Sequence, residues 1–387
     1  MANSFQRAIL CAALSVGAGA LAPAQAQDSQ LDPASSIKFD LPDSSPVAIQ
    51  SFDLGESRAT ARGGALVLDL HIALKLRNTS GKTIRGVTLL LLAQEKPGGK
   101  MSVAVPSLNV GPDENFPMRI NGRLMRPLAV GVGPLVHVSL DGVLFEGYGF
   151  YGPDKLNSRR QMVAWEMAAE RDRRYFKQVL QSRGPDGLEK EMRQSLTRQT
   201  ERPRVDVQLA RGRSTTSAAS ASDQVAQFAF LQMPDSPVRP VDGSAELAGN
   251  EARMPSIQVL NTSQKHVRYV EVGWLVKDAQ GREFLAGSVP AADGSFYLPP
   301  GKTGTLSQEA SLRFTRAGQP VPVKSMTAFV NQVEYADGTM WIPRRENLQL
   351  EQARLLKALP PSLEEQRLTD LYLKSGVNGI IKELAKF

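Results

Sequence analysis

A ten-residue pattern occurs twice in this chain, and no other feature restricts its architecture as much. Asn78-Thr79-Ser80-Gly81-Lys82-Thr83-Ile84-Arg85-Gly86-Val87 returns 183 residues later as Asn261-Thr262-Ser263-Gln264-Lys265-His266-Val267-Arg268-Tyr269-Val270. Three further matches follow the same order. Val143–Pro153 parallels Val333–Pro343, Leu180–Leu188 parallels Leu373–Ile380 with one deletion, and Pro42–Val47 parallels Pro234–Val238. Chance similarity does not stay collinear at slowly drifting offsets, so the chain reads as two copies of one unit, about 37–200 and 201–387.

Each unit begins strand-rich and ends helical. Leu66–Leu76 partly alternates polar and apolar, Asn78–Gly81 carries turn chemistry, and Ile84–Ala93 and Leu135–Phe145 return as strands. In the second unit the same reasoning gives Ser256–Leu260, Tyr269–Val276, Glu283–Ser288, Thr305–Phe314, Ser325–Tyr335 and Met340–Ile342, with Ala336-Asp337-Gly338 as a tight hairpin. The helical parts show apolar stripes. Met162, Trp165, Ala169, Phe176 and Leu180 fall at helical spacings, and Leu188, Met192 and Leu196 continue past the Gly184-Pro185 break. Leu348, Ala353, Leu356 and Leu359 suggest a short helix that Pro360-Pro361 stops. Ser362-Leu363-Glu364-Glu365 is a capping box, with Gly376 as a C-cap.

The expected fold class is α+β, mainly β: two tandem antiparallel β-sandwich domains, each with a helical tail. Short strands with frequent turns suggest the immunoglobulin-like type, although the Cys…Trp…Cys signature is absent. The expected divisions are a signal peptide (1–26), a disordered leader (27–36), sandwich one (37–153), tail one (154–200), sandwich two (201–345) and a C-terminal tail (346–387). Arg211–Gln224, rich in Ser, Ala and Thr, reads as a mobile loop.

The first 26 residues read as an address. Arg7 supplies a positive start, Ala8–Ala22 is apolar or small, and Ala24-Gln25-Ala26 has the form a signal peptidase accepts. Pro23 closes the run short of a bilayer span. Cleavage after Ala26 would remove Cys11, the single cysteine, and with it disulfides and thiolate chemistry. The formal charge of +7 would fall to +6 through loss of Arg7 alone. The expected location is periplasmic or secreted, which makes nucleic acid a poor partner.

Catalytic and metal residues are expected to be none, and no cofactor is expected. The histidines, His71, His137 and His266, show no ligand spacing. The acidic spots Asp113-Glu114, Glu189–Glu191 and Glu364-Glu365 could support glycoside hydrolysis, but the last two lie on helices near Lys or Arg, where solvation and pairing explain them. No nucleophile-elbow motif occurs. The most unusual stretch is 145–177. It holds Phe145, Tyr148, Phe150 and Tyr151, followed by seven basic residues against three acids over 155–177. Aromatics can stack on sugar faces and arginines can fork onto acidic groups, so Tyr148, Phe150, Tyr151, Arg159, Arg160, Arg173 and Arg174 are the candidate ligand-binding residues. Packing at a sandwich–helix junction is the competing role for these rings.

These features point to an exported, non-enzymatic protein-interaction or scaffold protein of the bacterial envelope. The expected partner is an envelope protein or an anionic polysaccharide. Two alternatives follow: a cell-wall-binding protein using the aromatic-basic stretch, and a hydrolase with a site between the two units.

Overall fold

A computed structural model describes residues 28–96, 98–128, 133–201, 204–210, 224–291, 296–307, 310–345 and 360–387. The expected signal segment, most of the Arg211–Gln224 loop and the short helix expected from Leu348–Leu359 lie outside the described residues. Within them the chain is mostly β, in four largely antiparallel sheets with two long helices. None of these helices is long and apolar enough to cross a membrane.

The longest strand of the first unit, Ala65–Asn78, buries Leu68, Leu70, Ile72, Leu74 and Leu76 and turns Asp69, His71, Lys75 and Arg77 outward. Side chains alternate faces every residue, so this pattern commits one face to a core. Asn115–Pro127 pairs along its whole length, while Arg58–Arg62 and then Val47–Asp53 occupy its other edge. The facing sheet places Ile84–Leu92 between Lys100–Val105 and Val136–Phe145, with Ile37–Asp40 parallel to the last of these. Leu68, Leu70, Ile120, Val87, Leu89 and Val138 belong to one buried cluster drawn from both sheets. Ile84–Leu92 is buried on both faces, which explains its unbroken apolar sequence. The helix that follows supplies the outer cover, with Met162 against Thr88 and in one cluster with Leu144.

The same arrangement recurs after residue 204. Glu251–Asn261 pairs with Val238–Ala248 on one side and with Thr303–Ser307 and Ser311–Arg316 on the other. In the second sheet Val267–Lys277 lies between Glu283–Pro290 and Ser325–Tyr335, and Ala229–Phe230 runs parallel to the latter. Ile257, Val259, Val272, Trp274, Phe314 and Val330 share its core. Thr305–Phe314, expected as one strand, is two.

The Asn-Thr-Ser turn is built on the same plan in both places, with one more carbonyl served in the first. Asn78 and Asn261 are fully buried. Asn78 donates through Nδ2 to the carbonyls of Lys82, Val110 and Gly111 at 2.9–3.0 Å and accepts from the Ser80 amide and hydroxyl. Asn261 donates to Lys265 and Leu298 at 2.8 and 3.0 Å and accepts from Ser263 in the same way. Thr79 and Thr262 each reach back to a serine carbonyl, Ser45 or Ser236. One side chain thus supplies the polar partners of a chain reversal that the apolar core surrounds.

The two tails pack on each other. The Ser158–Glu201 helix lies along the Leu363–Leu384 helix, and Tyr175, Phe176, Leu188 and Met192 from the first bury Leu368, Ile380 and Leu384 from the second. Each helix breaks at a glycine, Gly184 (φ 68°, ψ −172°) and Gly376 (φ 65°, ψ −169°). That region is open essentially to glycine alone. Gly376 is therefore an internal kink rather than the helix end expected from the sequence. The Ser362 hydroxyl accepts from the Glu365 amide as the capping box requires, but the Glu365 carboxylate is held by Arg345 and Ser195.

Candidate functional site

Packing of the tails brings the first unit's helix over the outer face of the second unit's sheet. Between them is a cleft of about 510 Å³. Trp165 and Gln161 line it from the helix, and Tyr269, Glu271, Ser288 and Asn331 from three neighbouring strands. The strand residues face outward by simple alternation. In Val267–Lys277, Val270, Val272 and Trp274 enter the core, so Tyr269 and Glu271 point away from it.

These polar groups hold one another. The Glu271 carboxylate accepts from the Ser288 hydroxyl, from Asn331 Nδ2 at 3.3 Å and from the Tyr269 hydroxyl at 3.1 Å. Asn331 Nδ2 also donates to Ser288 Oγ at 3.1 Å. Burial pushes the Tyr269 hydroxyl's pKa well above the usual tyrosine range, and the neighbouring Glu271 charge adds to this. The Arg160 guanidinium lies 3.7 Å from the centre of the Tyr269 ring and 3.6 Å from Glu334. Arg171 donates to the Pro343 carbonyl and pairs with Asp172.

A buried ionic cluster ties the seam together. Arg345 Nη1 sits 3.1 Å from Asp172 and 3.3 Å from Glu365, with its guanidinium over the Tyr175 and Phe176 rings. Asp172 also accepts from Ser362 at 2.6 Å. Burial alone would raise the Asp172 pKa, but Arg171 and Arg345 outweigh it and hold the carboxyl below its ordinary value.

A second groove, about 590 Å³, runs past Arg85, Glu146, Glu170, Arg173 and Arg174. Arg85 pairs with Glu146 and Arg173 with Glu166, each at 2.5 Å, while the Phe387 ring lies over both guanidiniums. Burial raises the Glu166 carboxyl to about 7 despite Arg173 and Arg85. A carboxyl pKa raised on folding stabilises the fold below its unfolded value of 4.5, and that contribution is lost as pH rises through 7. Glu166→Gln removes this dependence. The stability of wild type relative to the variant should fall by about 3 kcal/mol between pH 4.5 and 7.5, measured by urea unfolding across that range.

The candidate residues named from the sequence do not form one site. Phe150 packs beside Leu144, Met162 and Val163, and Tyr151 rests on the first core with its hydroxyl 3.1 Å from Ser44. Tyr148 is partly exposed and donates to Glu170 at 2.6 Å, and burial together with that bond raises its pKa. Arg159 lies against the Gly338 backbone, and Arg160 borders the cleft. Arg173 is buried in the ionic contacts just described, and Arg174 lines the second groove. The histidines lie apart: His137 Nδ1 is 3.0 Å from Asp40, His71 Nδ1 is 3.3 Å from Asn121, and His266 stacks on Tyr297.

The acidic spots are likewise engaged. Asp113 pairs with Arg77, Glu189 with Arg193 and Glu364 with Arg367. Tyr269, Glu271, Ser288 and Asn331 were not singled out from sequence. Their only signal was the outward polar alternation within otherwise apolar strands.

No family model matches this chain, and no curated protein matches it. Among solved structures it is similar to a selenomethionine-labelled beta-glucosidase from Kluyveromyces marxianus, at 9% identity and TM-score 0.14 over 69% of this chain and 45% of that one. It thus spans less than half the length of that enzyme. It is also similar to pT26-6p, at 10% identity and TM-score 0.15 over 87% and 72% of the two chains, and to pumpkin seed globulin, at 12% identity and TM-score 0.08 over 86% and 93%. Likeness at these TM-scores carries no argument about fold or function.

Proposed function

We propose that this chain is an exported, non-enzymatic binding protein of the bacterial envelope. In this reading a duplicated unit, an immunoglobulin-like β-sandwich followed by a helical tail, forms a two-unit scaffold whose tails join to make the recognition cleft. The observation that carries it is the seam between the Ser158–Glu201 helix and the second unit's sheet. There Trp165 and a self-supporting polar set (Tyr269, Glu271, Ser288, Asn331) line one concave surface. Both Glu271 carboxylate oxygens accept hydrogen bonds from these neighbours, which suits fixed recognition better than proton transfer. Rigid clefts between packed elements are where ligands are usually met.

A photo-cross-linking residue placed at Gln161, in the cleft, should capture a ligand or partner in the periplasmic fraction. The same residue at Val225, on a distant exposed edge, should not. The mature chain from that fraction should begin at Gln27. Equal capture from both positions, or none from either, overturns the cleft as the recognition site. An uncut chain retained in the cytoplasm overturns export.

A further inference from the structure

We propose that the seam cleft takes a short, uncharged oligosaccharide. This rests on the reading of the cleft as a recognition site and adds the ligand's chemistry. A sugar ring offers an apolar face of C–H groups and a rim of vicinal hydroxyls. It is therefore met by an aromatic ring together with planar side chains that donate and accept side by side. The cleft supplies both. Trp165 stands on the helical wall, while Gln161, Asn331, Gln332 and Glu271 present planar amide and carboxylate groups around it.

The arrangement is fixed in advance. Glu271 and Asn331 are held by each other and by Ser288, so little side-chain freedom is lost when a ligand arrives. The volume, about 510 Å³, falls within the roughly 300–1,000 Å³ typical of small-ligand sites.

Charge selects against an acidic ligand. The two arginines on the rim already have partners: Arg160 stacks on Tyr269 beside Glu334, and Arg171 bonds Asp172 and the Pro343 carbonyl. Glu271 is the carboxylate among the residues that line the cleft. An anionic sugar would have to displace internal ion pairs and would meet that carboxylate, whereas a neutral one meets hydrogen-bonding groups only.

The alignment of the two units gives a second, independent observation. The match of Val143 with Val333 places Asn331 at the position of Asp141. In the first unit Asp141 is buried and accepts from Lys155 N at 2.9 Å and from the Ser158 hydroxyl, anchoring the start of the helix that covers that sheet. In the second unit the matched residue is an uncharged amide that borders the cleft. The position that fastens a helix in one unit is open to a ligand in the other.

The test uses the chain from Gln27 to Phe387 and titration calorimetry with maltotriose, cellotriose and chitotriose. Trigalacturonate and decaproline serve as competing chemistries. At least one neutral trisaccharide should bind. Trp165→Ala and Asn331→Ala should each weaken it at least tenfold, and Lys374→Ala, on an exposed face elsewhere, should leave it unchanged. Asn331→Ala keeps the test informative if Trp165→Ala fails to fold.

Absence of binding by all three neutral sugars overturns the proposal, as does binding that both cleft variants leave intact. Tighter binding of trigalacturonate or decaproline also overturns it. If neutral sugars fail while Gln161 still captures a partner, the recognition cleft stands and the saccharide falls.

Discussion

Arg345→Ala is expected to lower the stability of the helical seam by about 3–5 kcal/mol, the range for breaking a buried ion pair by removing one partner. Arg345 is 4% exposed, and the two carboxylates it serves, Asp172 and Glu365, are 0% and 7% exposed. Its removal leaves Asp172 with Arg171 and the Ser362 hydroxyl, and Glu365 with Arg198 and Ser195. These contacts still run between the two helices, but only the Arg345 guanidinium touches both carboxylates, so its loss leaves Asp172 and Glu365 without the cation they share. The variant also uncovers the Tyr175 and Phe176 rings, which lie 4.1 and 5.1 Å from the guanidinium. The loss should appear as a lower urea midpoint for the transition that melts helical circular dichroism. Combining Arg345→Met with Asp172→Asn and Glu365→Gln should recover part of it, because the two buried carboxylates no longer need a cation, although Arg171 then keeps only the Pro343 carbonyl. If Arg345→Ala shifts the midpoint by less than about 1 kcal/mol, the cluster does not hold the seam.

Asn78→Asp and Asn261→Asp should each cost about 3 kcal/mol or more. The substitution keeps the shape and exchanges a donor for an acceptor. At position 78 a carboxylate oxygen would then face the carbonyls of Lys82, Val110 and Gly111 without a proton to share. At position 261 it would face Lys265 and Leu298. Each buried group left unsatisfied costs about 1–3 kcal/mol, and a buried charge adds to that. Two features of the result bear on the duplication. The two losses should be of similar size, with Asn78→Asp the larger, because its amide serves three carbonyls against two. They should also add in the double variant, because separate sites without shared partners do so. A turn that tolerates Asp in one unit but not in the other contradicts their equivalence.

Much of the β framework was legible. Ser325–Tyr335 runs between the expected bounds, Leu135–Phe145 and Ile84–Ala93 each depart by one residue at an end, and Tyr269–Val276 extends by two residues at its start and one at its end. Their β-branched and aliphatic runs leave few alternatives. Asn115–Pro127 was not legible. Its inward residues Phe116, Met118, Ile120 and Leu124 alternate faithfully, but Pro117, Gly122 and two arginines between them read as loop chemistry. Pairing with Ala65–Asn78 overrides those local preferences, and that pairing is a tertiary fact.

The basic helix shows the same limit from the electrostatic side. The sequence places an excess of +4 in residues 155–177. Carboxylates from remote segments meet part of it: Glu334 lies beside Arg160 and Glu364 beside Arg173. The cleft is not legible in the sequence for a related reason. Its walls come from residues near 165, 270, 290 and 331, and nothing local marks them as neighbours.

The tails of the two units form one bundle within a single chain. Residues 27–387 contain no cysteine, so a pair can be introduced without background. Arg193 Nε lies 3.2 Å from the Tyr372 hydroxyl across the two helices. Arg193→Cys with Tyr372→Cys, treated in dilute solution with a short bis-maleimide, should give an intramolecular cross-link, seen as a faster-migrating monomer on a denaturing gel. Cross-linked dimers alone, or two labelled but unlinked cysteines, would contradict it.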